Sequence, residues 1–381
     1  MRETLNDPSL ARQAGRFVWL ELDFDKPENQ EFIARHGATY TPTLYVLDPA
    51  DERATATHIG GMSLAELGQF LDQGERGVKG REAAPADAAL ARGDELAGRG
   101  RPMEAAASYR EALRTAPPAW PARTRAVREL AWSLLHGRES QPCAETALAE
   151  APGMPRESSF ASVVLAGFTC ANMGGAEAWA GSARAKLEPL AVEAVGLPAT
   201  LRDDRFELYQ RLMHASEMLG DGAAVTRWGE RWLDEIEKAT PSGDDERSAL
   251  DIARVDAAST LDTPARVLPA LEASERAMPA NYNASLRLAQ METAAKRYDG
   301  ALAACDRGLA HVTGPIGRSW LLRTRAEALD GKGDPARARA ALEEAMKAAR
   351  EIGIEQLRDA NVRRITEEIA EIDGKAPANR P

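Results

Sequence analysis

The hydrophobic pattern changes character near residue 80. Before it, short apolar runs alternate with polar stretches; after it, apolar residues recur every three or four positions almost without pause. Met1 to Ala14 suits a helix with Leu5 and Leu10 on one side, interrupted at Asp7-Pro8. The run Phe17-Val18-Trp19-Leu20-Glu21-Leu22-Asp23 predicts a strand apolar enough for burial on both faces. Asn29 to His36 predicts a short helix closed by Gly37. Leu44 to Leu47 and Ala54 to Ile59 predict two further strands. Ser63, with Glu66 three residues on, predicts a capping box and a helix running to about Leu71. Residues 74–86, GERGVKGREAAPA, are rich in Gly, Ala and charge and mark a boundary. The expected organisation is an α/β part over 1–77, a linker over 78–86, a helical part over 87–373 and a frayed tail over 374–381.

Within the helical part, residues 86–119 carry Gly93, Gly100, Ala105, Tyr109, Ala112 and Pro117. The physical logic is a pair of antiparallel helices. Small residues let the two approach, the aromatic fills the gap they leave, and proline ends the second helix. The spacing resembles a tetratricopeptide repeat. With Ala105 as the small position of a second helix, equivalents recur at Ala144, Ala180, Ala224, Ala265, Ala301 and Ala338. The large residue four positions on is Tyr109, Leu148, Trp228, Cys305 or Leu342, whereas Arg184 and Pro269 break the pattern in two repeats. This predicts roughly seven helical pairs and a closing helix near 354–372.

The N-terminal order of helix, strand ending in Asp, helix, Tyr40-Thr41-Pro42-Thr43, strand, strand, Gly and helix resembles the second half of a thioredoxin fold. That resemblance implies a cis bond before Pro42 in the Thr41-Pro42 loop. On the residues alone, the alternative is that Pro42 opens an ordinary strand in the commoner trans form. The W-C-x-x-C motif and the strand between Phe17–Asp23 and Leu44–Leu47 that the family would supply are missing from the sequence. Met1 is then either an internal residue of a longer frame or the start of a lineage that lost the motif. The expected fold is mainly α: an incomplete thioredoxin-like α/β domain followed by a TPR-like α–α solenoid.

Charge and composition narrow the chemistry. Against 48 Lys and Arg stand 59 Asp and Glu, a net charge of −11, so the chain repels a phosphate backbone and nucleic acid is not an expected partner. Cys143, Cys170 and Cys305 have neither C-x-x-C nor zinc-ligand spacing. His36, His58, His136, His214 and His311 are scattered and read as surface or helix-end residues, so no metal is expected. There is no phosphate-binding Gly-rich loop and no G-x-S-x-G, hence no expected cofactor and no catalytic residue. No apolar run is long enough to span a bilayer, and the first residues lack a signal-peptide core. The chain as given is expected in the cytoplasm, or exported if a signal peptide precedes Met1.

Two sets of residues remain as candidates. Cys143 and Cys170 would lie on consecutive antiparallel helices flanking the turn near Pro152–Pro155, placed either to form a disulfide or to act as two small buried apolar groups. Trp120, Trp132, Trp179, Trp228, Trp232 and Trp320 read as packing residues. The expected working surface is the concave face made by the first helix of each pair. In the readable repeats it carries Asp87, Asp94, Asn283, Gln290, Arg323 and Glu327. That mildly acidic set lacks a Lys/Asn/Arg carboxylate clamp and suggests a basic or neutral peptide. The expected function is a protein-binding scaffold, redox-inactive as given. The alternative is a thiol-disulfide oxidoreductase whose C-x-x-C lies upstream of Met1, with the repeats recruiting clients.

Overall fold

A computed structural model describes residues 2–5, 7–22, 29–36, 42–79, 84–353 and 355–375. The N-terminal segment begins with α1 (Arg2–Leu5), a 3-10 turn over Pro8–Gln13 and α2 (Gln30–His36). The expected interruption falls at Asp7, whose carboxylate accepts the Ser9 N–H at 2.8 Å. Strands β1 (Thr43–Leu47) and β2 (Ala54–Ile59) pair antiparallel, with Val46 opposite Ala56 and Tyr45 opposite Thr57. Helix α3 (Leu64–Val78) follows, its Ser63/Glu66 capping box formed as expected. It runs a further seven residues beyond Leu71, because its apolar stripe of Leu67, Phe70 and Leu71 is completed by Gly74. A Cβ at Gly74 would lie 2.5 Å from the Val46 side chain, so glycine permits α3 to lie against β1. Val46, Ala56, Met62, Leu67, Phe70 and Leu71 form this small core.

The strand expected over Phe17–Asp23 does not form among the described residues. Phe17 to Leu22 is irregular, and Val18 and Leu20 are 89% and 74% exposed. Apolar character alone does not make a strand; its backbone needs a neighbouring ladder, and the described sheet has two strands only. Asp23 and the loop residues Tyr40 and Thr41 lie outside the described residues, and with them the isomer of the Thr41–Pro42 bond.

Fourteen helices follow among the described residues before a closing one, the number that seven pairs need. They are α4 (Pro85–Gly98), α5 (Pro102–Thr115), α6 (Arg123–His136), α7 (Ser140–Glu150), α8 (Ser158–Met173), α9 (Ala178–Gly196) and α10 (Arg202–Met218), then α11 (Gly222–Lys238), α12 (Asp244–Thr260), α13 (Pro264–Ala277), α14 (Tyr282–Ala294), α15 (Tyr298–His311), α16 (Pro315–Gly331) and α17 (Pro335–Arg350). The closing helix α18 is Glu355–Lys375, so the first two residues of the expected tail are helical. The fold is TPR-like α–α packing with one small sheet.

The spacing logic of residues 86–119 is visible in the packing. Tyr109 is 1% exposed and sits against Gly93, where a Cβ would lie 2.5 Å from the ring. Ala105, Ala144, Ala180, Ala301 and Ala338 are fully buried and Ala224 nearly so. Ala265 is exposed, and Val267 and Leu268 take the buried positions of α13, so the alanine register slips there. Each first helix ends in one residue with positive φ: Gly100, Arg138, Gly175, Gly220, Asp262, Lys296 and Gly333. The next N–H commonly closes the helix by reaching back to the carbonyl five residues before, as in Glu139 to Leu134 and Arg297 to Glu292.

The chain divides into two compact units, residues 1–221 and 222–381. The division lies within the helical part. In the first unit, the α/β segment packs against α4, α6 and α8. There α8 is buried on nearly every side, against α6, α7, α9 and α10. In the second unit α12, α14 and α16 pack side by side, and α16, α17 and α18 enclose a core that includes Leu322, Leu329, Leu342, Ile352 and Ile365.

Candidate functional site

The first helices of the pairs carry the candidate residues, and the two units treat them differently. In the first unit, the side of α4, α6 and α8 that the candidates occupy is covered by β2 and α3. Asp94 on α4 is 1% exposed. The Tyr109 hydroxyl donates to its Oδ1 at 3.0 Å and Arg125 of α6 donates to its Oδ2 at 2.6 Å. The same guanidinium donates to the Thr57 carbonyl of β2 at 2.8 Å and to Gln73 of α3 at 2.5 Å. Burial pushes the Asp94 carboxyl up to about 7, against the pull of Arg125. Asp87 accepts the Trp120 indole N–H at 2.9 Å. Asp94 is closed to a peptide, which corrects the sequence expectation for that residue, whereas Asp87 keeps part of its surface exposed.

A second layer of this contact centres on His58, which is 4% exposed rather than on the surface as expected. Its Nδ1 lies 3.1 Å from Glu129 Oε1, and its Nε2 lies 3.2 Å from Arg128 Nη1. Nε2 also lies 3.2 Å from the Gly61 carbonyl, so a neutral ring donates to Glu129 with its proton on Nδ1 or to Gly61 with its proton on Nε2. Burial and then the Arg128 charge hold the imidazole below its ordinary pKa. Burial works against the Glu129 charge, yet Arg128 and His58 bring its carboxyl down to about 2. Arg128 also donates to the Gly61 carbonyl at 3.2 Å and to Ser162 of α8 at 3.1 Å. From α3, Glu66 accepts from Ser158 at 2.8 Å and from Ser159, both on α8. Burial opposes the Glu66 charge, but the Ser159 and Ser63 hydrogen bonds keep the carboxyl below its ordinary range.

Sequence reasoning missed this network. Arg125, Arg128 and Glu129 look like a solvated helix face, and their burial depends on segments some 70 residues earlier in the chain. Only the density of charge among Ala126, Val127 and Leu130 could have drawn attention to α6.

In the second unit the candidates are accessible. Asn283 and Gln290 on α14 are part-exposed, and the Asn283 N–H is held by the Asn281 side chain that starts the helix. On α16, Glu327 is exposed and Arg323 is part-exposed, bonded to Glu368 of α18 at 3.0 and 2.5 Å. Partial desolvation and then the like charge of Glu368 raise the Glu327 carboxyl. Trp320, on the same helix, is 36% exposed, so it is not the packing residue its spacing suggested.

Cys143 and Cys170 form a disulfide, with Cα atoms 6.2 Å apart, between α7 and α8. Cys305 is fully buried, and burial pushes its thiol up to about 12. The described residues contain no group of three metal-ligating side chains. No helix among them is long and apolar enough to cross a membrane.

Comparison with known proteins agrees with the repeat geometry. No curated protein matches the chain. Among solved structures, a tetratricopeptide repeat protein from Parabacteroides merdae ATCC 43184 is 12% identical, with 74% of this chain and 100% of that chain covered and a TM-score of 0.44. The TPR2AB domain of yeast Sti1, solved as a pHSP90 complex, is 14% identical, with 76% and 98% covered and a TM-score of 0.29. Likeness at that level carries no argument about partners. Residues 90–155 and 253–313 match the tetratricopeptide repeat family model, one stretch in each compact unit, so the chain carries tetratricopeptide repeats in both.

Proposed function

We propose that this chain is a protein-interaction scaffold whose peptide-binding surface is the first-helix face of α12, α14 and α16. The observation that carries this reading is the asymmetry between the units. The corresponding face of α4, α6 and α8 is filled by the chain's own β2 and α3, whereas Asn283, Gln290, Arg323 and Glu327 keep solvent access. Tetratricopeptide repeats supply a rigid surface built of neighbouring helices, which suits an extended peptide. The α/β segment then serves as a cap on the first repeats. It is redox-inactive in this reading. Thiol-disulfide exchange needs an accessible thiolate, and of the three cysteines two are paired and the third is buried with its thiol pushed up to about 12. The Cys143–Cys170 bond favours an oxidising compartment over the cytoplasm.

The test is site-directed photocross-linking of the full chain to peptides selected from a random displayed library. Cross-links are expected from a photoreactive residue at Gln290 or Glu327 and not from one at Glu343, on the second helix α17. Equal labelling from Glu343, or failure to select any peptide, overturns the reading.

A further inference from the structure

The run Phe17–Leu22 concentrates exposed apolar surface as nothing else in the described chain does. Val18 is 89% exposed, Leu20 74%, Trp19 47% and Leu22 39%. No other described stretch of six residues exposes more than two large apolar side chains. Single exposed apolar residues are ordinary on a protein surface, but a contiguous group of them marks a place of contact.

Composition says what kind of contact. Aromatic and β-branched residues favour a pleated strand, no Gly or Pro interrupts the run, and Glu21 is its single charge. Its N–H and C=O groups make no backbone hydrogen bond to a described residue. The segment therefore has strand character and an open ladder, the combination that pairs with another chain. One end of it is already anchored. Arg16 donates to Asp72 at 2.8 Å and to Glu75 at 2.7 Å, both on α3. Phe17 packs on the small core beside Leu10 and Leu44, and the Trp19 ring meets the Phe17 ring edge-on at 6.4 Å. That anchoring lowers the entropy lost when the strand pairs.

The run is complementary to itself. In an extended backbone Val18, Leu20 and Leu22 share one face, and Trp19 and Glu21 the other. A two-fold axis at Leu20 sets two such strands antiparallel, with the two Leu20 side chains opposite each other and each Val18 opposite a Leu22. Trp19 then falls opposite Glu21, so no two like charges stand directly across the ladder. An interface of standard size buries about 800 Å² per partner, and a six-residue strand supplies roughly half of that, so the pairing is weak and concentration-dependent.

We infer that Phe17–Leu22 is a dimerisation strand, which pairs antiparallel with the same segment of a second copy about Leu20. The inference is independent of the peptide-binding reading; each dimer would carry two copies of that face.

The test is sedimentation velocity of the full chain between about 1 and 200 µM, where an interface of this size should associate. Monomer is expected to give way to dimer as concentration rises. Leu20→Glu, which sets two carboxylates face to face at the axis, should weaken the dimer at least about tenfold. Leu219→Glu, at a comparably exposed leucine just past α10, should leave it unchanged. Both positions are on the surface, so urea unfolding of each variant at a concentration where the parent is monomeric should match the parent. Leu20→Cys should give a disulfide-linked dimer on mild oxidation. Directly opposed residues of an antiparallel pair hold their Cα atoms about 4.5–5.5 Å apart, within the span of a disulfide. Trp19→Cys should link far less. The native cysteines do not compete, since Cys143 and Cys170 are paired and Cys305 is buried. Monomer throughout the range, a dimer that survives Leu20→Glu, assembly that continues past the dimer, or equal linking from positions 19 and 20 overturns the inference.

Discussion

His58 joins the α/β segment to α6 through the one side chain whose ordinary pKa lies close to neutrality. Its charge state should therefore set how firmly that contact holds. Because the folded pKa is depressed, the stabilisation is fully present above the unfolded value of about 6.5. It is lost as pH falls toward the folded value, at about 1.4 kcal/mol per pH unit while only the unfolded chain is protonated. Glu129 is held down to about 2, so it loses stabilisation at lower pH, between the ordinary carboxylate range and about 2. Asp94 runs the other way: pushed up to about 7, its contribution is largest in acid and declines as pH rises toward neutrality. Opposed terms flatten the total, so the informative quantity is a difference. Urea unfolding of the parent and of His58→Gln should diverge progressively below pH 6.5, the parent losing more stability. Parallel pH profiles would show that His58 does not titrate in this window. Nothing local to Thr57-His58-Ile59 announces this role. The histidine sits on an alternating strand whose other face the sequence leaves unassigned, and its ionic partners belong to α6.

At the scale of the element, the left-handed turns between paired helices separate what was legible from what was not. Gly100, Gly175, Gly220 and Gly333 mark their turns plainly, because glycine is the residue that adopts positive φ without cost. Arg138 and Lys296 adopt φ of 60° and 59° with full side chains, and no residue pattern flags them as turns. The same limit explains Phe17–Leu22. Its apolar run read as a strand, but pairing is a property of two segments, and among the described residues none pairs with it. Strands Leu44–Leu47 and Ala54–Ile59, the Ser63 cap and the seven helical pairs were legible because each rests on local pattern. A left-handed non-glycine residue costs roughly 1–2 kcal/mol, part of which glycine's greater unfolded-state entropy takes back. Arg138→Gly and Lys296→Gly are each expected to raise stability by about 0.5 kcal/mol in chemical unfolding. Gly333→Ala, at φ 81°, should lower it. A loss of stability in both glycine variants would mean that the Arg138 and Lys296 side chains contribute more than their backbone costs.

For the whole molecule, the division at 221/222 places the disulfide and the α/β segment in one compact unit and the proposed peptide face in the other. Cys143 and Cys170 are 27 residues apart. By the chain-entropy model, a loop of that length confines the unfolded state by about 3.5 kcal/mol. The effect should fall on residues 1–221 alone, because residues 222–381 contain only the buried Cys305. Calorimetry of the full chain should then resolve two transitions. Reduction, or the double substitution Cys143→Ala and Cys170→Ala, should lower one of them by roughly 5–10 °C and leave the other in place. Hydrogen exchange can assign them: amides of α7 and α8 should lose protection with the shifted transition, and those of α14 and α16 should not. Because the proposed peptide face lies wholly in the second unit, cross-linking of a selected peptide at Gln290 should survive reduction. A single transition that moves as a whole, with peptide binding lost alongside it, would show that the two units fold as one cooperative body and that the disulfide supports the binding face.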